Sequence, residues 1–167
     1  MQNLEAKFRL QDLERARGQA EAIGYRYAAT LRQRDTFFRV ALGNLKLREE
    51  ESGAWLIYYD REDRGDLKLS NYEIVPTPEP EKTRAMLTQA LGTIAVVEKE
   101  RILMMRDHIR FHLDDVEGLG EFGEIEAVLA DAGDLERSRP MVDQLLGALG
   151  IKPVELIEVS YFELAMR

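Results

Sequence analysis

The chain of 167 residues contains no cysteine, which excludes disulfides, thiolate catalysis and zinc–thiolate sites. No apolar run approaches the roughly 18 residues of a membrane span, and no signal-peptide-like segment opens the chain. We therefore expect a cytoplasmic protein that does not enter the membrane. The chain also lacks a surplus of positive charge, since its formal net charge is −8, and this argues against nucleic acid as a partner. A local cluster of bases could still bind a small anion.

The overall composition is that of an ordinary folded protein, with 45% hydrophobic and 32% charged residues. A chain of this length can bury a core of its own. The sequence shows no internal repeat, low-complexity segment or domain boundary, so we expect one domain over residues 1–167.

A strict alternation of apolar and polar residues runs through positions 3–10. Its even-numbered residues are apolar, and this alternation predicts a half-buried β-strand. Taken alone, the charged face of such a strand is expected to meet solvent. A site is the other interpretation, because Glu5 and Lys7 place an acid and a base two positions apart.

Further alternating or β-branched segments predict a series of strands with short connections, including a turn at residues 64–66. Short connections favour antiparallel neighbours, so the fold class is α+β rather than a doubly wound parallel sheet. The predicted strands cover residues 3–10, 25–40, 44–50, 55–61, 67–75, 94–105, 108–114 and 122–129.

Three helices are predicted from apolar stripes between capping residues. The first runs from Asp12 to a stop at Gly24, and the second covers residues 81–91. The third covers residues 135–149, with Asp134 as its N-cap.

Three features of the C-terminal third leave alternatives open. Pro140 either kinks the third helix or marks a regular part that starts near residue 139. The last segment, residues 159–166, could form an edge strand or one helical turn. The leucine stripe of the third helix predicts packing, with a homodimer face as the alternative; it consists of Leu145, Leu146 and Leu149.

Pairs of like charge recur on the polar faces of the predicted strands. Side chains two apart on a strand share a face, where like charges repel unless water or an oppositely charged ligand lies between them. A face with both basic and acidic pairs predicts a site for something anionic and metal-bound. The basic pairs are Lys46/Arg48 and Lys99/Arg101, and the acidic pair is Glu124/Glu126.

Polyphosphate chemistry requires such a face. Lysine and arginine match the several charges of a triphosphate, and Mg²⁺ or Mn²⁺ prefers carboxylate and phosphate oxygens. The metal would polarise the phosphoryl group while the bases stabilise the transferring charge, so no protein nucleophile is needed. The carboxylates available as metal ligands are Glu5, Asp114, Glu124 and Glu126.

Several segments together resemble the CYTH, or triphosphate tunnel metalloenzyme, superfamily over nearly the whole chain. The N-terminal strand of that family reads Glu-x-Glu-x-Lys, and residues 3–7 read Asn-Leu-Glu-Ala-Lys here. No single segment is specific, but the order and spacing of all of them are. The other matching segments are residues 33–38, 45–48, 99–101, 110–114 and 118–126, the last two most similar to class IV adenylyl cyclases.

The resemblance implies an eight-stranded antiparallel β-tunnel, a closed barrel with helices outside and a charged lumen. It implies Mg²⁺ or Mn²⁺ as the cofactor, held by Glu5, Glu124 and Glu126 with Asp114. Catalytic roles would fall to Glu5, Lys7, Lys99 and Arg101. It also implies a triphosphate bound by Lys7, Lys46, Arg48, Arg61, Lys68, Lys99, Arg101 and Arg110.

The activities implied are conversion of ATP to cyclic AMP and pyrophosphate, or hydrolysis of inorganic tripolyphosphate or thiamine triphosphate. Asn3 departs from the family strand, because its amide supplies a neutral oxygen where the family has a carboxylate. This departure motivates a hypothesis of another class, a non-catalytic protein that binds nucleotides or polyphosphate.

Other polar and aromatic residues receive simpler expectations. His112 and His108 would lie on a strand and are expected to form hydrogen bonds rather than bind metal. Asp35 could fix a turn or pair with an arginine. Trp55, Tyr58 and Tyr59 are expected in the core.

Overall fold

The computed structural model describes residues 2–62 and 68–167, without the side chains of residues 61, 62, 68, 69 and 132. The predicted turn at 64–66 and the first residue of the predicted strand 67–75 lie outside these residues. Eight strands are present in the described chain: β1 Gln2–Arg9, β2 Arg26–Phe38, β3 Asn44–Glu50, β4 Gly53–Glu62, β5 Lys68–Pro76, β6 Thr93–Arg106, β7 Ile109–Val116 and β8 Gly120–Leu129.

These strands close into an antiparallel barrel in the order β1-β5-β4-β3-β2-β6-β7-β8. The predicted α+β class and the closed eight-stranded barrel are therefore confirmed. Closure comes from the pairing of β1 with β8, which sets Glu5 opposite Glu126 and Lys7 opposite Glu124. Every described strand thus has a hydrogen-bonded neighbour on each side, and side chains alternate between the lumen and the outside.

Four helices surround the described barrel: α1 Leu13–Ala22, α2 Pro80–Leu91, α3 Ala132–Leu149 and α4 Tyr161–Ala165. Asp12 caps α1 as predicted, since its side chain accepts from the backbone N–H of Arg15 at 2.9 Å. The open alternative for residues 159–166 is settled in favour of a helical turn, which Ser160 caps.

Helix α3 begins earlier than predicted. Asp131, rather than Asp134, is the N-cap, and the two aspartates form a reciprocal capping box in which each carboxylate accepts from the other's backbone N–H. Two aspartates three positions apart both fit the N-cap pattern, and the box places the first at the cap. Pro140 lies inside the helix, so a start near residue 139 is wrong.

The main apolar core lies between the barrel wall and helices α1 and α3. The even-numbered residues of β1 face outward, and Phe8 stacks on Phe111 of β7 with 6.4 Å between ring centroids. Gly123 of β8 lies directly under the Phe8 ring, where a Cβ would collide with it. Leu145 and Leu146 are buried in this core, so the leucine stripe packs within the chain.

A second apolar cluster lies at the end of the barrel where α4 docks. Phe162 of α4 contacts Phe37 at a centroid distance of 4.6 Å, and Tyr161 contacts Phe122 at 5.0 Å. Tyr59 belongs to this cluster as predicted, but Tyr58 faces outward and is 39% exposed, so its assignment to the core is wrong. The alternation of β4 allows only one of two consecutive tyrosines to face inward.

No helix in the described part of the chain is long and apolar enough to cross a membrane.

Candidate active site

The barrel encloses a cavity of about 310 Å³ lined by residues from all eight strands and from α4. The polar face of β1 faces this cavity, and Lys7 is only 8% exposed. The expectation that this face meets solvent is therefore wrong. The alternation set which residues share the face, and closure of the sheet turned that face inward.

Most of the predicted site residues meet in this cavity. Asp114 is fully buried in the wall beside the lining residues. The side chains of Arg61 and Lys68 lie outside the described ones, although the backbone of Lys68 pairs with Glu5. The predicted residues that line the cavity are Glu5, Lys7, Lys46, Arg48, Lys99, Arg101, Arg110, Glu124 and Glu126.

One carboxylate gathers three of the cations. Asp35 of β2 accepts two hydrogen bonds from Arg48, at 2.8 and 2.7 Å, so its alternative as an arginine partner is confirmed. Its Oδ2 also accepts from Lys46 at 3.0 Å and Lys99 at 3.2 Å. Burial alone would raise the pKa of Asp35, but these three cations hold that pKa well below its usual range.

This group, which we call the Asp35 cluster (Asp35, Lys46, Arg48 and Lys99), carries excess positive charge. When both lysines are protonated, three cations and one carboxylate leave two positive charges in a buried space. Burial lowers the pKa of Lys46 to about 7 and that of Lys99 to about 8, and the nearby Arg48 acts in the same direction on both. An anion entering the lumen would relieve this crowding of positive charge.

Arg101 of β6 is held by two carboxylates. Its guanidinium donates to both oxygens of Asp114, at 2.7 and 2.6 Å, and to Glu124 at 2.8 Å. Asp114 also accepts a hydrogen bond of 2.7 Å from the hydroxyl of Tyr161. Both oxygens of Asp114 are thus engaged by protein donors, while Glu124 is also 3.8 Å from the ammonium of Lys7.

The opposite part of the lumen, which we call the acidic face (Asn3, Glu5 and Glu126), brings two carboxylates together, and Arg110 lies 3.9 Å from Glu126. Glu5 and Glu126 stand opposite one another on paired strands. Burial raises the pKa of Glu126 to about 7, and Glu124 and Glu5 act in the same direction. Asn3 lies in the same region and donates from its amide to Glu126. Its neutral side chain therefore lessens the repulsion that a third carboxylate would add.

The acidic face fits a divalent cation. The facing carboxylates of Glu5 and Glu126 would be stabilised by one such ion, and Mg²⁺ commonly binds through one or two carboxylates together with substrate phosphates. Within the described residues, no three His, Asp or Glu side chains are grouped closely enough to complete a metal site by themselves. The donor set therefore suits a metal shared with a phosphorylated ligand.

The two histidines lie in different places. His108 contacts Ser138 at 2.8 Å on the outside, as expected of a hydrogen-bonding residue. His112 lines the lumen, and burial with the nearby Arg101 lowers its pKa to about 3. His112 is therefore a neutral group at physiological pH.

Sequence reasoning gave no site role to Asp35 or Tyr161. The alternation of β2 did point to Asp35, because Asp35 and Gln33 are two residues apart and therefore face the same side of the strand. Gln33 faces the lumen, where it donates to Glu50 at 2.5 Å. Tyr161 carried no such signal, since its position depends on how the short helix α4 docks.

Comparison with known proteins identifies relatives of the whole chain. The CYTH domain family profile matches residues 1–161. A Methanocaldococcus jannaschii protein, provisionally named an adenylate cyclase, is 25% identical over 173 residues, covering 98% of each chain. The PH1012 protein of Pyrococcus horikoshii has a TM-score of 0.85 at 21% identity, covering 97% of this chain and 98% of that one. A Hippeastrum protein, provisionally named an adenylyl cyclase and described as having a dominant triphosphatase activity, has a TM-score of 0.67 at 14% identity, covering 98% and 93%.

Proposed function

Since this chain belongs to the CYTH domain family, we propose that it is a cytoplasmic, divalent-metal-dependent enzyme that acts on a triphosphate in the barrel lumen. The first candidate reaction is the conversion of ATP to cyclic AMP and pyrophosphate. One observation carries the proposal: the lumen is divided between the Asp35 cluster, with surplus positive charge, and the acidic face, with two facing carboxylates. A metal–triphosphate complex offers the complementary charge to both.

The cations would bind and orient the phosphate chain. Arg48 presents a planar guanidinium suited to phosphate oxygens, and Lys46 and Lys99 add mobile ammonium groups beside it. In the cyclase reaction the ribose 3′-oxygen forms a bond to the α-phosphorus, its proton is released, and the bond to the β-phosphate breaks to release pyrophosphate. Charge that develops on the departing pyrophosphate would be stabilised by these buried cations.

Glu5 and Glu126, with Glu124 beside them, would hold the Mg²⁺ or Mn²⁺ ion. When bound, such an ion polarises the phosphoryl group and neutralises charge on the phosphate oxygens. Asp114 remains a candidate ligand, although its present partners are Arg101 and Tyr161. We assign it the task of orienting Arg101.

Triphosphate hydrolysis is the second candidate, and the Hippeastrum relative described as a triphosphatase supports including it. The same phosphate-binding residues would serve, with water as the attacking group on the terminal phosphorus. The two reactions differ in the position of the attacking oxygen and not in the cations required.

A direct assay separates these candidates. The purified protein is incubated with Mg²⁺ or Mn²⁺ and, separately, with ATP, thiamine triphosphate and tripolyphosphate. Cyclic AMP identifies a cyclase, and free phosphate identifies a hydrolase. Binding by calorimetry without any product identifies a non-catalytic binder. No binding of any triphosphate would overturn the proposal.

The metal assignment has its own test. The variants Glu5→Gln and Glu126→Gln should lower metal-dependent turnover by about 100-fold or more, because each removes a candidate ligand charge. Glu98→Gln is the matched control, since this glutamate lies on the outer face of the barrel near Arg34. Full activity in either lumen variant would show that the metal is held elsewhere.

A further inference from the structure

Tyr161 reaches the lumen from outside the barrel strands. It is the first residue of α4, and its side chain lines the cavity while only 6% of the residue is exposed. Its ring faces the ammonium of Lys7 at 4.2 Å and that of Lys99 at 5.5 Å. Its hydroxyl donates to Asp114, which in turn binds Arg101. One side chain therefore contacts two cations directly and a third through a single carboxylate.

These contacts restrain flexible side chains. A lysine has four rotatable bonds, and holding its ammonium in one place costs conformational entropy. An aromatic face attracts a cation within about 6 Å of its centroid, more strongly where water is excluded. The ring of Tyr161 can therefore hold Lys7 and Lys99 in position before any ligand arrives, which lowers the entropic cost of binding.

The ring is itself held firmly. It packs on Phe122, and the next residue, Phe162, packs on Phe37. The segment before α4 is tied to β1, because the backbone N–H of Ile157 donates to the carbonyl of Lys7 at 2.7 Å. The C-terminal segment is thus fixed to the same strand residue whose ammonium lies over the ring.

We propose that Tyr161 is a positioning residue of the triphosphate site, which holds Lys7, Lys99 and Arg101 in the arrangement that binds the phosphate chain. This inference rests on the proposed function. It also explains how a helix outside the barrel contributes to the lumen. The ring positions the two lysines, and the hydroxyl positions Arg101 through Asp114.

Two substitutions separate the contributions of the ring and the hydroxyl. Tyr161→Phe keeps the ring and removes the hydroxyl, and we expect metal-free tripolyphosphate to bind about threefold more weakly by calorimetry. Tyr161→Leu keeps an apolar side chain in the cluster but removes the aromatic face, and we expect binding about tenfold weaker.

The matched control is Phe162→Leu. It removes an aromatic ring from the same helix and the same apolar cluster, but Phe162 does not line the cavity. We expect a loss of thermal stability similar to that of Tyr161→Leu, with tripolyphosphate affinity within about twofold of wild type. If both leucine variants lost affinity equally, the role of Tyr161 would be packing alone.

Changing the charge distribution of the ring without changing its size tests the attraction for cations separately from packing. Phenylalanines with one, three and five fluorines at position 161 keep the shape of the ring while weakening its attraction for cations. Affinity for tripolyphosphate should fall stepwise along this series. The inference would be overturned if all three fluorinated variants bound tripolyphosphate as tightly as the wild-type protein does. Failure of the wild-type protein to bind ATP, thiamine triphosphate and tripolyphosphate would instead overturn the proposed function.

Discussion

At Asp35 a single carboxylate contacts three buried cations, so its removal should affect both stability and binding. We predict that Asp35→Asn lowers the free energy of unfolding by about 3 to 5 kcal/mol, because it leaves buried charges without a partner. Tripolyphosphate should recover more of the stability of this variant than it adds to wild type. Urea denaturation with and without tripolyphosphate measures both effects.

The control for this prediction is Asp115→Asn, which makes the same change in charge at an exposed position of β7. It should change stability by less than about 0.5 kcal/mol. Equal losses from both variants would contradict a special role for Asp35.

The two lysines of the Asp35 cluster should make binding depend on pH. Burial lowers their pKa values to about 7 and about 8, and a bound anion would raise both. Binding of metal-free tripolyphosphate should therefore take up protons near pH 8 and weaken by about threefold to tenfold from pH 7 to 9. Calorimetry in two buffers with different ionisation enthalpies measures the uptake, which should shrink in Lys46→Met. Equal uptake in that variant would contradict the assignment.

The same lysines affect stability with a definite sign. In the unfolded chain a lysine has a pKa of about 10.4, so the folded protein holds fewer protons than the unfolded chain above the lowered values. Their contribution to the free energy of unfolding therefore rises as the pH increases from about 7 towards 10.

Asn3 offers a test of the acidic face, because its amide donates to Glu126. Replacing it by a carboxylate adds repulsion in the absence of metal and a ligand in its presence. We predict that Asn3→Glu lowers the free energy of unfolding by about 1 to 3 kcal/mol in EDTA. Its Mn²⁺ affinity should rise by about tenfold. Denaturation in EDTA and Mn²⁺ titration measure the two effects. Asn71→Glu, at an exposed position of β5, should leave the Mn²⁺ affinity unchanged.

Among the elements, β8 depends on a close approach of two strands. Gly123 faces the Phe8 ring of β1 so closely that a Cβ has no room, and both residues belong to the seam that closes the barrel. Gly123→Ala should therefore cost about 2 kcal/mol or more of stability. Gly147→Ala in α3 should be neutral or slightly stabilising, because nothing lies within 4 Å of the added Cβ. Chemical denaturation of the two variants gives the comparison, and equal costs would contradict it.

Across the whole molecule, metal and triphosphate should stabilise the fold cooperatively. The anion would compensate the Asp35 cluster, the cation would compensate the facing carboxylates, and the two ligands would attract one another within the same lumen. The rise in melting temperature with Mg²⁺ and tripolyphosphate should exceed the sum of the rises with each alone. Differential scanning fluorimetry measures all three conditions. A rise no larger than the sum would show that the two ligands bind independently.

The period of two predicted the strands and which side chains share a face, and the family resemblance predicted that the sheet closes into a barrel with the charged faces inward. Lys7, Lys99 and Glu126 were assigned from parity and family resemblance. Which residues they contact depends on the register between neighbouring strands. The alternation within one strand carries no information about that register. The contact of Lys99 with Asp35 joins residues 64 positions apart.

The local sequence pattern did not predict the start of α3, where two residues could serve as the N-cap, or the C-terminal helix, whose position depends on tertiary packing. Both Asp131 and Asp134 fit the N-cap pattern of α3, and only the reciprocal hydrogen bonds distinguish them. Residues 159–166 are too short for a period to identify a helix. The placement of Tyr161 over Lys7 follows from the docking of Phe162 on Phe37, a contact between distant parts of the chain.

The seam between β1 and β8 has a kinetic consequence. Glu5 and Lys7 come to lie opposite Glu126 and Glu124 only when β1 pairs with β8. These two strands are about 120 residues apart along the chain. Contacts of such long range form slowly in folding, so the site cannot exist in a partly folded barrel. Binding competence should therefore appear in the last step of refolding, and a nascent chain would gain its site only after β8 has left the ribosome.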